Sequence, residues 1–588
     1  MNHKGGFALK AEKKKFNISG QSLIFICLFI AALAFMLWKC RFGLGGSDEA
    51  FYLTIPHRLC LGDELFRDEW HLSQLSAFFT LPFVSLYRAV NGSNDGIMLA
   101  ARYVYVFGHA AAALVVWLRL KRLDRVSAPA AALIFMLFTP FDMMCWSYNT
   151  IAVDALVLSG VIAGTASDNG RTAWAVSGAL FACAVVCCPY LAFAYVLYFA
   201  AVTVCRAMYK KTAGAAWKNE FFTWRTFGLF TAGVAAVSAL FLVFFFRHSG
   251  ISEVLNALPG IFSDPEHPGY SVVFMLKHYV YCLVTAHRFI VMPVAVYAVS
   301  LVLLAFDGKR REHAPFHIAL AAVSALMIWA LFLKNLAQDY YNGVMLPLVP
   351  VGFTAYLLLE KKPEVLFAAS FIPGVIYSFC VSATSNMGFL VMSMALSTAN
   401  AASIVFIGLL VRQLRAQRCR GARAGTAAAV LPVLCLAALV IVIKASHCFW
   451  DESPAQLGSR ISVGPARGIV TSERLSRDYM RIYDDMQYYS DKPRGNMLVY
   501  AQETWCCLML DDYPYASFSA WLSGLNEETE RRLALYYDMN PAKEPQYIYI
   551  LKDNAFAQPG LDSAAIRAAA EENGFSVTEN DVSWKLEK

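Results

Sequence analysis

Charge is what this sequence has little of. Only 16% of its 588 residues are Asp, Glu, Lys or Arg, while 58% are hydrophobic and the mean hydropathy is +0.47. A soluble domain usually carries about 25% charged residues, so a single soluble globule is excluded. No cysteine spacing resembles a zinc site, and the C-terminal part holds neither a glycine-rich phosphate loop nor a nucleophile motif. The first apolar run, 23–38, has a basic lead, but Lys39-Cys40-Arg41 follows it where a small-x-small cleavage site would stand. It reads as a retained anchor. There is no convincing internal repeat, which counts against an inverted-repeat transporter.

What is present divides the chain in two. Apolar runs of roughly bilayer-crossing length fill 21–445, and 446–588 reads as ordinary soluble sequence. Spans are expected to begin near Leu23, Leu99, Ala128, Thr150, Thr172, Leu191, Phe227, Arg288, Phe316, Gly343, Leu366, Phe389 and Thr426. That makes a bundle of about thirteen helices. The net charge of +7 does not suggest nucleic acid, because the basic residues gather in short loops at 10–15, 119–125, 210–225, 309–311, 361–362 and 412–423. Loops between these carry few Lys or Arg, which is the positive-inside pattern. It puts the N-terminal segment, 1–20, in the cytoplasm of a multi-pass plasma-membrane protein and the tail outside.

Two outer segments are longer than linkers. The first loop, 41–97, contains an apolar stretch at 75–87 that is too short to span comfortably and reads as an interfacial helix. The second contains a similar piece at 254–262. In the tail, strand-like runs at 468–471, 497–501 and 547–551 alternate with helix-like runs at 473–489, 527–537 and 563–573. Ser472, Asn526 and Asp562 are expected N-caps and Gly574 a C-terminal stop. Such alternation predicts a small α/β domain. Cys40, Cys60, Cys448, Cys506 and Cys507 fall on the outer side, where disulfides can form.

The acidic pair in Gly45-Gly46-Ser47-Asp48-Glu49-Ala50-Phe51-Tyr52 stands just after the first span. A carboxylate there suits a base that accepts the proton of an attacking hydroxyl. It is also read as a solvated acidic turn. Asp68 and Glu69 repeat the theme in a second acidic turn. Arg102, at the mouth of the second span, either snorkels to headgroups or meets an anion. Arg102, His109, His267, Lys277, His278 and Arg288 are cations or hydrogen-bond donors expected near the outer face, the kind of group that can stabilise a departing oxyanion. Asn149 and Asp142 flank an outer turn, where solvated polar residues cost nothing, and Asn149 is a candidate for binding donor or substrate. Asp154 should lie about a turn or more inside the next span, where an ionised carboxylate must face the bundle or water; it reads equally as a cavity-lining residue that binds donor or substrate and as a protonated or helix-paired structural Asp.

The order of an anchor, Asp48-Glu49-Ala50-Phe51-Tyr52, Leu61-Gly62-Asp63, Arg67-Asp68, an interfacial helix and Ala101-Arg102 resembles the GT-C superfamily of membrane glycosyltransferases. Within it, the sequence resembles the protein O-mannosyltransferase and lipid A aminoarabinose transferase branch. The resemblance is carried by the segment from about Ser47 to His109. It implies a polyprenyl-phosphate sugar donor, an inverting single displacement and an outward-facing cell-envelope glycan or protein as acceptor. It also implies Asp48 as catalytic base, Glu49 orienting donor or acceptor, Asp68 or Glu69 as a second acidic position and Arg102 as a structural or phosphate-facing group. Tyr340 and Tyr341 resemble the region that holds the donor phosphate. A divalent ion can sit beside Asp48 and Glu49, but none is generally required in this branch. Rival readings are a lipid-linked glycan flippase or transporter, and an envelope glycan polymerase or ligase.

Overall fold

The computed structural model describes residues 20–45, 48–166, 170–211, 220–262, 272–281, 284, 288–335, 343–384, 395–417, 421–522, 527–552 and 563–588. Eight of the described helices are long and apolar enough to cross a bilayer: Gly20–Lys39, Ile97–Leu120, Pro189–Met208, Trp224–His248, Ala314–Leu331, Glu364–Ser382, Ser397–Gln417 and Ala422–Ser446. The chain is therefore a multi-pass membrane protein. Five further apolar helices, Ala128–Leu137, Tyr148–Gly164, Arg171–Cys187, Val291–Phe306 and Leu348–Leu358, have only 10–17 residues. A perpendicular crossing needs roughly 20, so helix length does not establish thirteen full spans.

Seven elements position the site: α1 (Gly20–Lys39), α2 (Asp48–Cys60), α3 (Ala77–Asn91), α4 (Ile97–Leu120), α5 (Ala128–Leu137), α6 (Tyr148–Gly164) and α7 (Arg171–Cys187). The brevity of α5 is written in the sequence. Pro140 lacks an N–H and disfavours a helical conformation at Thr139, which is extended at φ −124°, ψ 136°. A reciprocal capping box then starts α6, with Ser147 and Thr150 side chains each accepting from the other's backbone N–H. Helix α7 meets Trp224–His248 through two glycines. A Cβ added at Gly178 would lie 1.9 Å from the Phe230 carbonyl oxygen, and one at Gly233 1.8 Å from that of Ala175. Small residues of this kind let membrane helices touch backbone to backbone.

The stretch expected as an interfacial helix forms α3, which leaves Leu86 and Val90 exposed. The second such piece is the helix Ile251–Phe262. Helix α2 was not expected. Its sequence, DEAFYLTIPHRLC, shows no helical apolar stripe because nearly every side chain in it is buried.

The tail is the expected small α/β unit. Ser472 caps its first helix, Glu473–Met486, by accepting from the Leu475 N–H, while Asn526 and Asp562 lie outside the described residues. Strands β1 (Ser459–Arg460) and β2 (Val470–Thr471) form an antiparallel pair. Strands β3 (Met497–Tyr500), β4 (Tyr547–Leu551), β5 (Ser576–Glu579) and β6 (Ser583–Glu587) form a sheet in the order β3-β4-β6-β5. The β3–β4 pair is parallel, which requires a crossover; the helix Glu527–Met539 lies in that connection. The β5–β6 hairpin completes the sheet antiparallel. Cys40, Cys60, Cys448, Cys506 and Cys507 are free thiols.

Candidate active site

The acidic pair at the start of α2 divides into two roles. Glu49 is buried, and both its carboxylate oxygens receive the Arg102 guanidinium. The other Arg102 donors are taken by backbone carbonyls of the segment leaving α1: Cys40 at 2.9 Å, Phe42 at 3.3 Å and Gly43 at 2.7 Å. A guanidinium has five N–H groups, and these five bonds use them. Arg102 therefore acts as the hub that fixes the α1–α2 turn to α4, with no donor left over for a phosphate. Glu49 is correspondingly an anchor.

Asp48, one residue earlier, is half-buried. It opens α2, where the positive end of the helix dipole favours an anionic carboxylate. It lies close enough to Tyr52, Cys145 and Tyr148 for its charge to act on each. The rings of Tyr52 and Tyr148 meet edge-on at 5.8 Å. Asn149, next to Tyr148, is buried, and its Oδ1 has no partner among the described residues. On the other side of α2, Phe51 packs edge-on against His71 at 4.6 Å and Trp521 at 5.9 Å. The structure thus gathers Asp48, Glu49, Arg102 and Asn149. It adds Tyr52, which belongs to the acidic motif, Tyr148, which adjoins Asn149, and Cys145, for which the sequence carried no signal.

His109 and Asp154 form a separate pair within the bundle. His109 Nδ1 is 2.7 Å from Asp154 Oδ1, and Nε2 is 2.9 Å from the Phe135 carbonyl oxygen. A carbonyl only accepts, so Nε2 carries a proton. That carbonyl is one of the last four of α5, which a helix cannot satisfy internally. His109 thus caps α5, and Asp154 orients the ring. Contact of His109 with the donor phosphate is not what this arrangement provides.

Asp142 departs furthest from its expectation as a solvated turn residue. It is buried, meets Lys39 of α1 at 3.5 Å and His447 at 3.4 Å, and accepts from Lys444 near the end of Ala422–Ser446. Phe141 and Asp142 hold φ of 56° and 57°, an uncommon conformation for residues with a Cβ. The buried ion contacts over-determine it.

Asp68 and Glu69 also serve a buried network. Arg58 Nε donates to Asp63 at 2.7 Å and Nη1 to Glu69 at 2.9 Å, while Nη2 reaches the Ser517 carbonyl at 2.7 Å and that of Asp68. Lys543 of the tail closes the network on Asp63. Burial raises the carboxyl pKa of Glu69 against the opposing pull of Arg58, and burial aided by Asp63 raises that of Asp68. Asp68 and Glu69 thus join the first loop to the tail and stand apart from Asp48 in role.

His57 occupies the same seam, with Nδ1 3.0 Å from the Tyr515 hydroxyl and Nε2 3.0 Å from the Asp511 carbonyl. Burial, with Arg88 adding to it, lowers its pKa from 6.5 to about 3. Between those values the unfolded chain binds the proton and the folded one does not. His57 therefore contributes stability that is complete above pH 6.5 and declines as pH falls towards 3. Asp68, Glu69 and Asp511, whose pKa values are raised, act in the opposite sense. The thermal midpoint of wild type should thus drop more than that of His57→Gln between pH 7.5 and 5. Parallel pH profiles would refute this.

His267, Tyr340 and Tyr341 lie outside the described residues. Lys277 is exposed and His278 half-buried on the helix Val272–Tyr281, and Arg288 is exposed. Among the described residues no three His, Cys, Asp or Glu side chains gather to hold a metal ion. A divalent ion beside Asp48 would compete with Arg102 for the Glu49 oxygens.

No family model matches the sequence, and neither does any curated protein. Among solved structures the chain is similar to ArnT from Cupriavidus metallidurans bound to undecaprenyl phosphate, at 14% identity and a TM-score of 0.41, over 96% of this chain and 98% of that one. It is also similar to the oligosaccharyltransferase AglB from Archaeoglobus fulgidus in complex with an inhibitory peptide and a dolichol-phosphate. There the identity is 11% and the TM-score 0.38, over 90% of this chain and 69% of that one.

Proposed function

We propose that this chain is an inverting glycosyltransferase of the GT-C type. It moves a sugar from a polyprenyl-phosphate or pyrophosphate carrier to an extracytoplasmic acceptor on the cell envelope, glycan or protein. The observation that carries this reading is the half-buried Asp48 carboxylate at the head of α2, beside a neighbour locked by Arg102. Asp48 accepts the proton of the acceptor hydroxyl as that oxygen forms its bond to the anomeric carbon. The anomeric carbon–oxygen bond to the phosphate breaks at the same time, with inversion. The carrier phosphate departs as an anion and needs no proton. Glu49 and Arg102 hold Asp48 in place, with Tyr52 and Tyr148 close beside it. Phosphate contacts fall to groups other than Arg102 and His109, for which His267, Lys277, His278, Arg288, Tyr340 and Tyr341 are the candidates. The N-terminus is cytoplasmic and the tail external in this reading, with α2 and the tail on the outer face.

The test is transfer of label by the purified protein from a panel of polyprenyl-phosphate sugars to envelope extract. Transfer with inverted anomeric configuration supports the reading. Retention of configuration, or uptake of lipid-linked glycan into vesicles without transfer, overturns it.

A further inference from the structure

At the far end of α2 from Asp48 lies a cleft of about 640 Å³, bounded by Cys60 and Leu61 of the loop, Arg88 of α3, and Arg494, Gly495, Asn496, Asp512, Pro514 and Gln546 of the tail. Twelve residue steps at 1.5 Å each put it roughly 18 Å along α2 from Asp48. Its charge is uneven. One carboxylate, Asp512, is shared by two guanidiniums, Arg88 at 2.9 Å and Arg494 at 2.5 Å. Arg88 spends its Nη2 again on the Asp511 carbonyl at 2.7 Å. The Nε and Nη1 groups of both arginines make no hydrogen bond to the described residues. In the lining two cations face one anion, and the nearby Asp511 carboxylate offsets part of the charge of Arg88, so the surplus of uncommitted N–H groups, more than of net charge, marks the cleft.

The remaining polar lining suits hydroxyls. Asn496 spends its amide nitrogen on the Ala542 and Glu544 carbonyls at 2.7 and 3.0 Å. Gln546 Oε1 accepts from the Asn496 N–H at 2.5 Å, so the Gln546 amide nitrogen and the Asn496 side-chain oxygen stay available. Gly495 lets this wall close up: a Cβ there would lie 2.8 Å from the Tyr547 ring and 3.1 Å from Gln546. Pro514 and Leu61 supply apolar surface of the kind that packs under a sugar ring. Guanidiniums recognise carboxylate or phosphate by paired hydrogen bonds, and mixed amide donors and acceptors recognise diols.

We propose that this seam cleft binds an anionic sugar unit, and that it anchors the acceptor glycan at a residue distant from the one being modified. The acceptor role rests on the glycosyltransferase reading above; binding in the cleft does not.

The experiment uses the full chain in detergent and measures binding of trigalacturonate, with uncharged maltotriose and inorganic phosphate as comparators. Trigalacturonate should bind at least tenfold more tightly than either, and rising salt should weaken it. Arg494→Ala, an exposed position, and Arg88→Gln should each reduce binding tenfold or more, whereas Asp48→Asn should leave it unchanged. Equal binding of maltotriose, or full binding by both arginine variants, overturns the proposal. Phosphate binding as tight as trigalacturonate overturns the sugar-specific part. Loss of transfer in Asp48→Asn is read independently of all these outcomes, so a failure of the active-site reading is distinguishable from a failure of the cleft.

Discussion

Replacing Asp48 by Asn should lower sugar transfer by about 10²–10⁴-fold, the range a general base supplies, while thermal stability in detergent stays near wild type. The amide keeps the size and the position at the head of α2 but cannot accept the hydroxyl proton. Glu49 cannot substitute, because both its oxygens are held by Arg102. A contrasting variant sharpens the result. Glu49→Gln leaves the Arg102 charge buried without its counter-ion, which costs about 3–5 kcal/mol in a site of this kind. It should therefore lower the thermal midpoint as well as activity. If Asp48→Asn transfers at the wild-type rate, the base lies elsewhere. If Asp48→Asn instead unfolds like Glu49→Gln, its carboxylate is structural.

The second large effect falls on Arg58. Arg58→Met should destabilise the seam between loop and tail by about 3–5 kcal/mol, because it leaves Asp63 and Glu69 buried with much of their compensation gone. Lys543 still reaches Asp63, so Glu69 bears most of the loss. The triple variant Arg58→Met, Asp63→Asn, Glu69→Gln should recover part of it, since neutral groups are cheaper to bury than an unpaired charge. Glu64→Ala is the natural control. Its pairing with Arg67 joins side chains 40% and 45% exposed, and exposed pairs contribute roughly 0–1 kcal/mol. Protease sensitivity and thermal unfolding report both. An Arg58→Met protein as stable as the Glu64→Ala control would show that the network carries no such burden.

The two-part organisation, the long apolar helices and strands β3 and β4 were legible in the sequence because each depends on local pattern. Ser472 and Gly574 were legible for the same reason; Gly574 holds φ at 75°, as a helix stop of this kind requires. Helix α2 was not legible. Amphipathic periodicity marks a helix with one wet face, and α2 is enclosed by α3, α4 and the tail. The β5–β6 hairpin also went unread, its alternation being short and charged. Asp48 and Glu49 stood out as a pair, but their separation into a half-buried carboxylate and a buried anchor depends on Arg102, 53 positions away from Glu49. Asp142 shows the same limit more severely, since Lys444 is 302 positions distant. Nothing local in Phe141-Asp142 announces a buried counter-ion, and a turn residue beside Pro140 reads as solvated.

The junction of Lys39, Asp142 and Lys444 has a consequence for biogenesis. It fastens the opening transmembrane helix to the closing one, and the Gly43 N–H alongside it donates to the Val470 carbonyl at 2.8 Å. The Leu44 N–H donates to Asp451 at 2.9 Å. The stretch that delivers Asp48 is thus braced by residues translated some 400 positions later. During synthesis that carboxylate leaves the translocon long before its braces exist. The segment leading into Asp48 accordingly lacks this bracing until the helix Ala422–Ser446 has inserted and the tail has folded back.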